Sequence, residues 1–185
     1  MLEGVGVSAY LGAAQDILSK QYLTAAGSIL TIEARHAAYL REYTGERPFP
    51  APFDTPLDLN EVYTLASAFI VSCPASNPAL PVKAFPALTM SPNTSVPVTA
   101  GRTVHFTTSS NTLNAQLVAK VAYAAFITVT GPVFVPLKVE NGAYAFCVTI
   151  PTGLAGQSYL VLTNNPYQVT DDTVIAGPSI VEIGS

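Results

Sequence analysis

Charge is scarce in this chain. Its 185 residues include 8 Lys and Arg and 12 Asp and Glu, 11% in all, against about 25% in an ordinary soluble domain. Neutral polar side chains must therefore make up most of the surface, a composition that suits an extracellular protein. The net charge of −4 gives no basic footprint, so nucleic acid is not an expected partner. Trp is absent, and the tyrosines form no sugar-binding platform. There is no Gly-x-Ser-x-Gly, no phosphate-binding loop and no dinucleotide fingerprint, so no catalytic activity is expected. Apolar residues reach 49%, but prolines and polar residues interrupt every run before the 18 or so needed to span a bilayer. The sequence opens directly on a helix pattern, and no signal peptide is visible in it. A secreted protein with its signal and upstream segments removed is the expectation.

Among the few ionisable residues, Glu33-Ala34-Arg35-His36 carries the most information. It lies in a segment, residues 22–44, with helical periodicity. Ile29, Glu33, His36, Ala37 and Leu40 share a face at spacings of three and four. A carboxylate and an imidazole thus occupy a stripe that is expected to be buried. An unpaired buried carboxylate is costly, and a metal ion is one way to neutralise it. In carboxylate-bridged di-metal bundles, Glu-x-x-His sets a bridging carboxylate and a terminal imidazole one turn apart. Residues 2–18 also read as a helix, with Glu3, Val7, Tyr10, Ala14 and Ile17 on one face. An antiparallel hairpin turning near residue 18 would bring Glu3 level with Glu33 and His36.

The runs Leu2-Glu3-Gly4-Val5-Gly6-Val7-Ser8-Ala9-Tyr10, Tyr22-Leu23-Thr24-Ala25-Ala26-Gly27-Ser28-Ile29-Leu30 and Glu33-Ala34-Arg35-His36 resemble the ferritin-like domain of fungal stress-response and desiccation-related proteins. More narrowly, they resemble its last two helices. Ser72-Cys73-Pro74 and Asn77-Pro78-Ala79-Leu80-Pro81 are similar to that family too. The resemblance implies a four-helix bundle holding two metal ions, typically iron. It also marks a departure, because the first two helices and their Glu and Glu-x-x-His are not in this chain. Glu3, Glu33 and His36 would be half of such a site.

Pro48, Pro50, Pro52 and Pro56 exclude regular structure from 47 to 56. Asp58 and Glu61 have capping-box spacing, which predicts a helix over 59–70. Residues 83–185 read as β. The expected strands are Ala87–Met90, Val96–Thr99, Thr103–Thr108, Gln116–Tyr123, Phe126–Thr130, Val133–Val139, Ala143–Ile150, Ser158–Thr163 and Val174–Ile183, with Asn141-Gly142 as a type I′ hairpin turn. The expected fold class is α+β: a helical hairpin (1–44), a Pro-rich linker with a short helix (45–82) and an antiparallel immunoglobulin-like β-sandwich (83–185). Tyr159 would be its corner tyrosine, sharing a face with Val161. Cys73 and Cys147 could tie linker to sandwich as a disulfide, or be two buried thiols. Asn93-Thr94-Ser95 is an N-glycosylation triplet. His105 reads as an ordinary strand residue, and with Cys147 it falls one histidine short of a blue-copper set. Asp171-Asp172 reads as a solvated turn.

Two short helices cannot bury both apolar stripes against one another, so a protein partner is expected. The leading expectation is a non-catalytic accessory protein docking a larger secreted fungal enzyme, such as a laccase-type oxidase. The alternatives are a di-metal protein completed by homodimerisation, and a structural cell-wall or stress protein.

Overall fold

The computed structural model describes residues 1–92, 94, 96–108, 123–139 and 145–184, with Ala145 as backbone only. Helix α1 spans Leu2–Ala13, α2 Lys20–Tyr43 and α3 Leu59–Ser67. The strands are β1 Leu88–Met90, β2 Thr103–Thr108, β3 Tyr123–Ile127, β4 Val133–Val139, β5 Ala145–Thr149, β6 Gly156–Thr163 and β7 Val174–Ile183. The fold class is α+β, as the periodicities imply.

All strand pairings between these elements are antiparallel, in the order β1-β2-β5-β4-β3-β6-β7. The run β1-β2-β5-β4 faces β3-β6-β7, which is the strand order of a constant-type immunoglobulin sandwich. The two layers stay joined through the β4–β3 pair. A parallel bridge from Val98 to Ile183 brings the ends of the sheet close to closure. That bridge replaces the expected strand at 96–99. The expected strand at 126–130 begins earlier, at Tyr123, and ends at Ile127, before a turn in which Gly131 takes φ +111°. The strand expected at 116–123 and the Asn141-Gly142 turn lie outside the described residues, Tyr123 apart.

Alternation puts Val104 and Phe106 of β2, Phe146 and Val148 of β5, and Leu160 and Leu162 of β6 into one core between the layers. Strand β2 shows the strict pattern, with Thr103, His105 and Thr107 outward. Strand β6 does not: seven of its eight residues are buried. Its second face carries Tyr159, which packs under the helices with Val5 and Leu57, and Val161, which packs with Ala125 and Val174. The sequence reading put Tyr159 and Val161 on one face correctly, but it is the face opposite the sandwich core. Gly177 makes a bulge in β7 possible. Its φ is +99°, and a Cβ there would meet the Leu160 carbonyl at 2.8 Å.

The helices form a third layer. Helix α1 is its middle, with Val5, Val7, Ser8 and Gly12 buried. Gly12 is needed there because a Cβ would collide with the Leu57 carbonyl. The contact is clasped by the Leu57 N–H donating to the Ser8 carbonyl at 3.1 Å. Helix α1 stops at Ala13, not at residue 18, and Ser19 caps α2 by accepting from the Tyr22 N–H at 3.4 Å. Helix α3 starts with the full Asp58–Glu61 capping box but ends at Ser67.

Candidate functional site

The hairpin brings Glu3, Glu33 and His36 together. His36 Nδ1 lies 3.1 Å from Glu3 Oε2. The Glu33 carboxyl shares a hydrogen bond with Glu3, and it sits over Gly6, whose missing Cβ leaves room for Glu33 Oε2. The Glu33 carboxyl is pushed above the ordinary carboxylate value. Desolvation is the largest cause, the bond and the charge of Glu3 add to it, and the His36 charge opposes it. Two carboxyls in contact hold one proton more readily than two full charges.

The face of α2 expected to be buried is not, which corrects the sequence reading. No residue of α2 is buried, and the His36 side chain is 54% exposed. The apolar side of α2 divides in two. Ala26, Leu30, Glu33, Ala37 and Arg41 follow one stripe of half-buried residues, beside Ala34 and Ala38. Tyr22, Ala25, Ile29, Ile32, His36, Tyr39 and Tyr43 form a second stripe, and every one of them is exposed. Their spacing alternates three and four throughout, which is the seam pattern of helix-on-helix packing. The face read from the sequence, Ile29, Glu33, His36, Ala37 and Leu40, mixes the two: Glu33 and Ala37 belong to the first stripe, and Ile29 and His36 to the second. Counting forward from Tyr22 would have found the second.

Among the described residues, no group of three or more His, Cys, Asp and Glu is disposed to hold a metal ion. The Glu3–Glu33–His36 contact is therefore a paired cluster in its present form. Cys73 is exposed on the segment after α3 and Cys147 is buried in β5, and the structure does not join them. The possible disulfide between them is thus absent. His105 and Cys147 stand opposite each other in the β2–β5 register. Asn93 lies outside the described residues. Asp171 and Asp172 are exposed in a turn as expected, yet Asp171 reaches the cap of α3.

That cap contains an unforeseen buried acid. Glu61 is 4% exposed. It accepts from the Asp58 N–H at 2.9 Å, while Asp58 Oδ1 accepts from the Glu61 N–H at 2.7 Å. Burial pushes the Glu61 carboxyl up to about 7, and the charges of Asp58 and Asp171 add to the effect. Asp58 is raised as well, chiefly by burial.

A second polar cluster locks the hairpin to the sandwich. The Tyr159 hydroxyl donates to the Gly4 carbonyl at 3.1 Å and accepts from Gln157 Nε2 at 2.8 Å, with Ser8 Oγ at 2.9 Å. Tyr159 is therefore not a corner tyrosine, whose hydroxyl would return to nearby backbone. It is the buried anchor of α1, and burial holds its phenol above the usual value. Arg41 of α2 adds an ion pair to Glu182 of β7 at 2.8 Å and another to Glu46 at 3.3 Å.

Among the described residues no helix is long and apolar enough to cross a membrane. Residues 1–46 match the family model of a ferritin-like domain. A similar curated protein is Protein rds1 of Schizosaccharomyces pombe (strain 972 / ATCC 24843). It is 41% identical over 59 residues, which is 32% of this chain and 15% of that protein. The chain thus spans only a small fraction of that relative's length.

Proposed function

We propose that this chain is a non-catalytic interaction protein, secreted from a fungal cell, that docks a protein partner through α2 of its ferritin-like hairpin. The observation that carries this is the exposed Tyr22–Tyr43 seam on a helix with no buried residue. The sandwich serves as the platform, holding α1 through Tyr159 and α2 through Arg41. The low charge supports an extracellular setting.

A 3–4 seam fits a helix. The occupant argued for is a second copy of this chain, because the seam complements itself. An antiparallel pair centred near residue 34 would set Tyr43 against Ala25, Tyr39 against Ile29 and His36 against Ile32, large against small. Covering about 400 Å² of apolar surface contributes roughly 10 kcal/mol, and association costs about 4–15 kcal/mol. The dimer is then of moderate affinity. Sedimentation equilibrium at high micromolar concentration should give twice the chain mass, and Ile32→Asp should restore the monomer. A wild-type monomer there would refute self-docking, and a stable complex with a different secreted protein would transfer the seam to that partner.

A second reading rests on the meeting of Glu3, Glu33 and His36. The same two-fold axis would place both copies of Glu33 and His36 beside it, supplying ligands for iron or another divalent metal. Elemental analysis should then find about two ions per dimer in the wild type and none in Glu33→Ala. Equal metal content in both, at equal mass, would leave docking alone.

A further inference from the structure

Helix α2 is unburied on its inner side for a reason other than solvent. It overhangs a cleft of about 910 Å³. Ala34, Ala37 and Ala38 of α2 form part of one wall, and Tyr159 and Ile180 of the sheet form another. The strap Pro48-Phe49-Pro50-Ala51-Pro52-Phe53 closes one side. Alternate prolines hold that strap extended. They present Phe49 and Phe53 at the cleft while leaving them 81% and 66% exposed. Two phenylalanines are thus held at a cavity with most of their surface in water.

The charges in the lining are largely committed. Arg41 donates to Glu46, to Glu182 and, through Nε, to the Arg47 carbonyl at 2.7 Å. Glu3 faces His36. Arg35 and Asp54 are both exposed and carry opposite signs. An anion would meet two carboxylates around one guanidinium. The lining's Tyr159 and Gln157 are neutral, and they are bonded to each other. The volume falls within the range of small-molecule sites, roughly 300–1,000 Å³, and a lining of this mix is typical of them.

We infer that the cleft between α2, the Pro48–Phe53 strap and β6–β7 binds a neutral, largely apolar small molecule, with Phe49 and Phe53 folding over it. The site is separate from the α2 seam, which faces away from the cleft. Nile red, a neutral apolar dye, tests it on the full chain by fluorescence titration. One dye per chain is expected, with an emission blue shift, and the anionic dye ANS should bind at least tenfold more weakly. Phe49→Ala with Phe53→Ala should weaken Nile red at least fivefold with an unchanged thermal melt, since both rings are exposed. Ala38→Trp should block the cleft. Ile29→Lys with Ile32→Lys, on the seam, should leave the affinity unchanged. Loss of dye binding in the seam variant, or its full retention when both phenylalanines are removed, would overturn the inference. So would ANS binding as tightly as Nile red.

Discussion

Replacing Glu61 by Gln should flatten the pH dependence of this protein's stability. In the unfolded chain the Glu61 carboxyl titrates near 4.5, and in the folded chain near 7. Between those values the native state keeps a proton that the unfolded state has released. Folding takes up a proton there, so stability falls as pH rises. The contribution is complete below pH 4.5, declines through the interval and is lost above 7. At about 1.4 kcal/mol per pH unit, the loss is about 3 kcal/mol. Glu61 is buried, so solvent screening does not reduce it much. Gln keeps an oxygen for the Asp58 N–H, and the capping box admits it. Its amide can also donate towards Asp58 or Asp171. Urea unfolding from pH 4.5 to 8 should show the wild type weakening by about 3 kcal/mol. Glu61→Gln should keep only the smaller slope of the other acids, Asp58 among them, and become the more stable protein above pH 7. Parallel curves for the two proteins across that window would refute the reasoning. Glu61 would then be ionised in the folded state, satisfied by its backbone bond.

Three further substitutions probe the helix–sandwich contact. Gly12→Ala drives a methyl into the Leu57 carbonyl, and forced overpacking of this kind should cost about 2 kcal/mol or more in a denaturant melt. Tyr159→Phe removes a hydroxyl shared by Gly4, Ser8 and Gln157; the unmet partners should cost about 1–3 kcal/mol, and hydrogen exchange in α1 should rise. Arg41→Met strands Glu182 and Glu46 and should destabilise the fold by about 2 kcal/mol, between the values for an exposed pair and a fully buried one.

Much of the local structure was legible in the sequence. The Asp58–Glu61 box starts α3 where its spacing says, because a cap is settled by a few neighbouring backbone groups. Strands β2, β4 and β7 have the expected bounds, since proline, glycine and alternation mark their ends. The meeting of Glu3 with His36 also followed from counting outward from the turn. What the residues could not declare was which faces would be covered. Strand β6 is apolar on both sides, so its alternation carried no vote on whether Tyr159 looked into the sandwich or towards α1. Glu61 reads as a capping residue in any helix; that it is buried depends on where the turn at Asp171 comes to rest. The seam of α2 is written in its spacing, but its exposure was decided by α1, which is narrow enough to take one stripe and leaves the other in solvent. Local rules act over a few residues, while burial is set by elements more than a hundred residues apart, and only the packed chain brings those together.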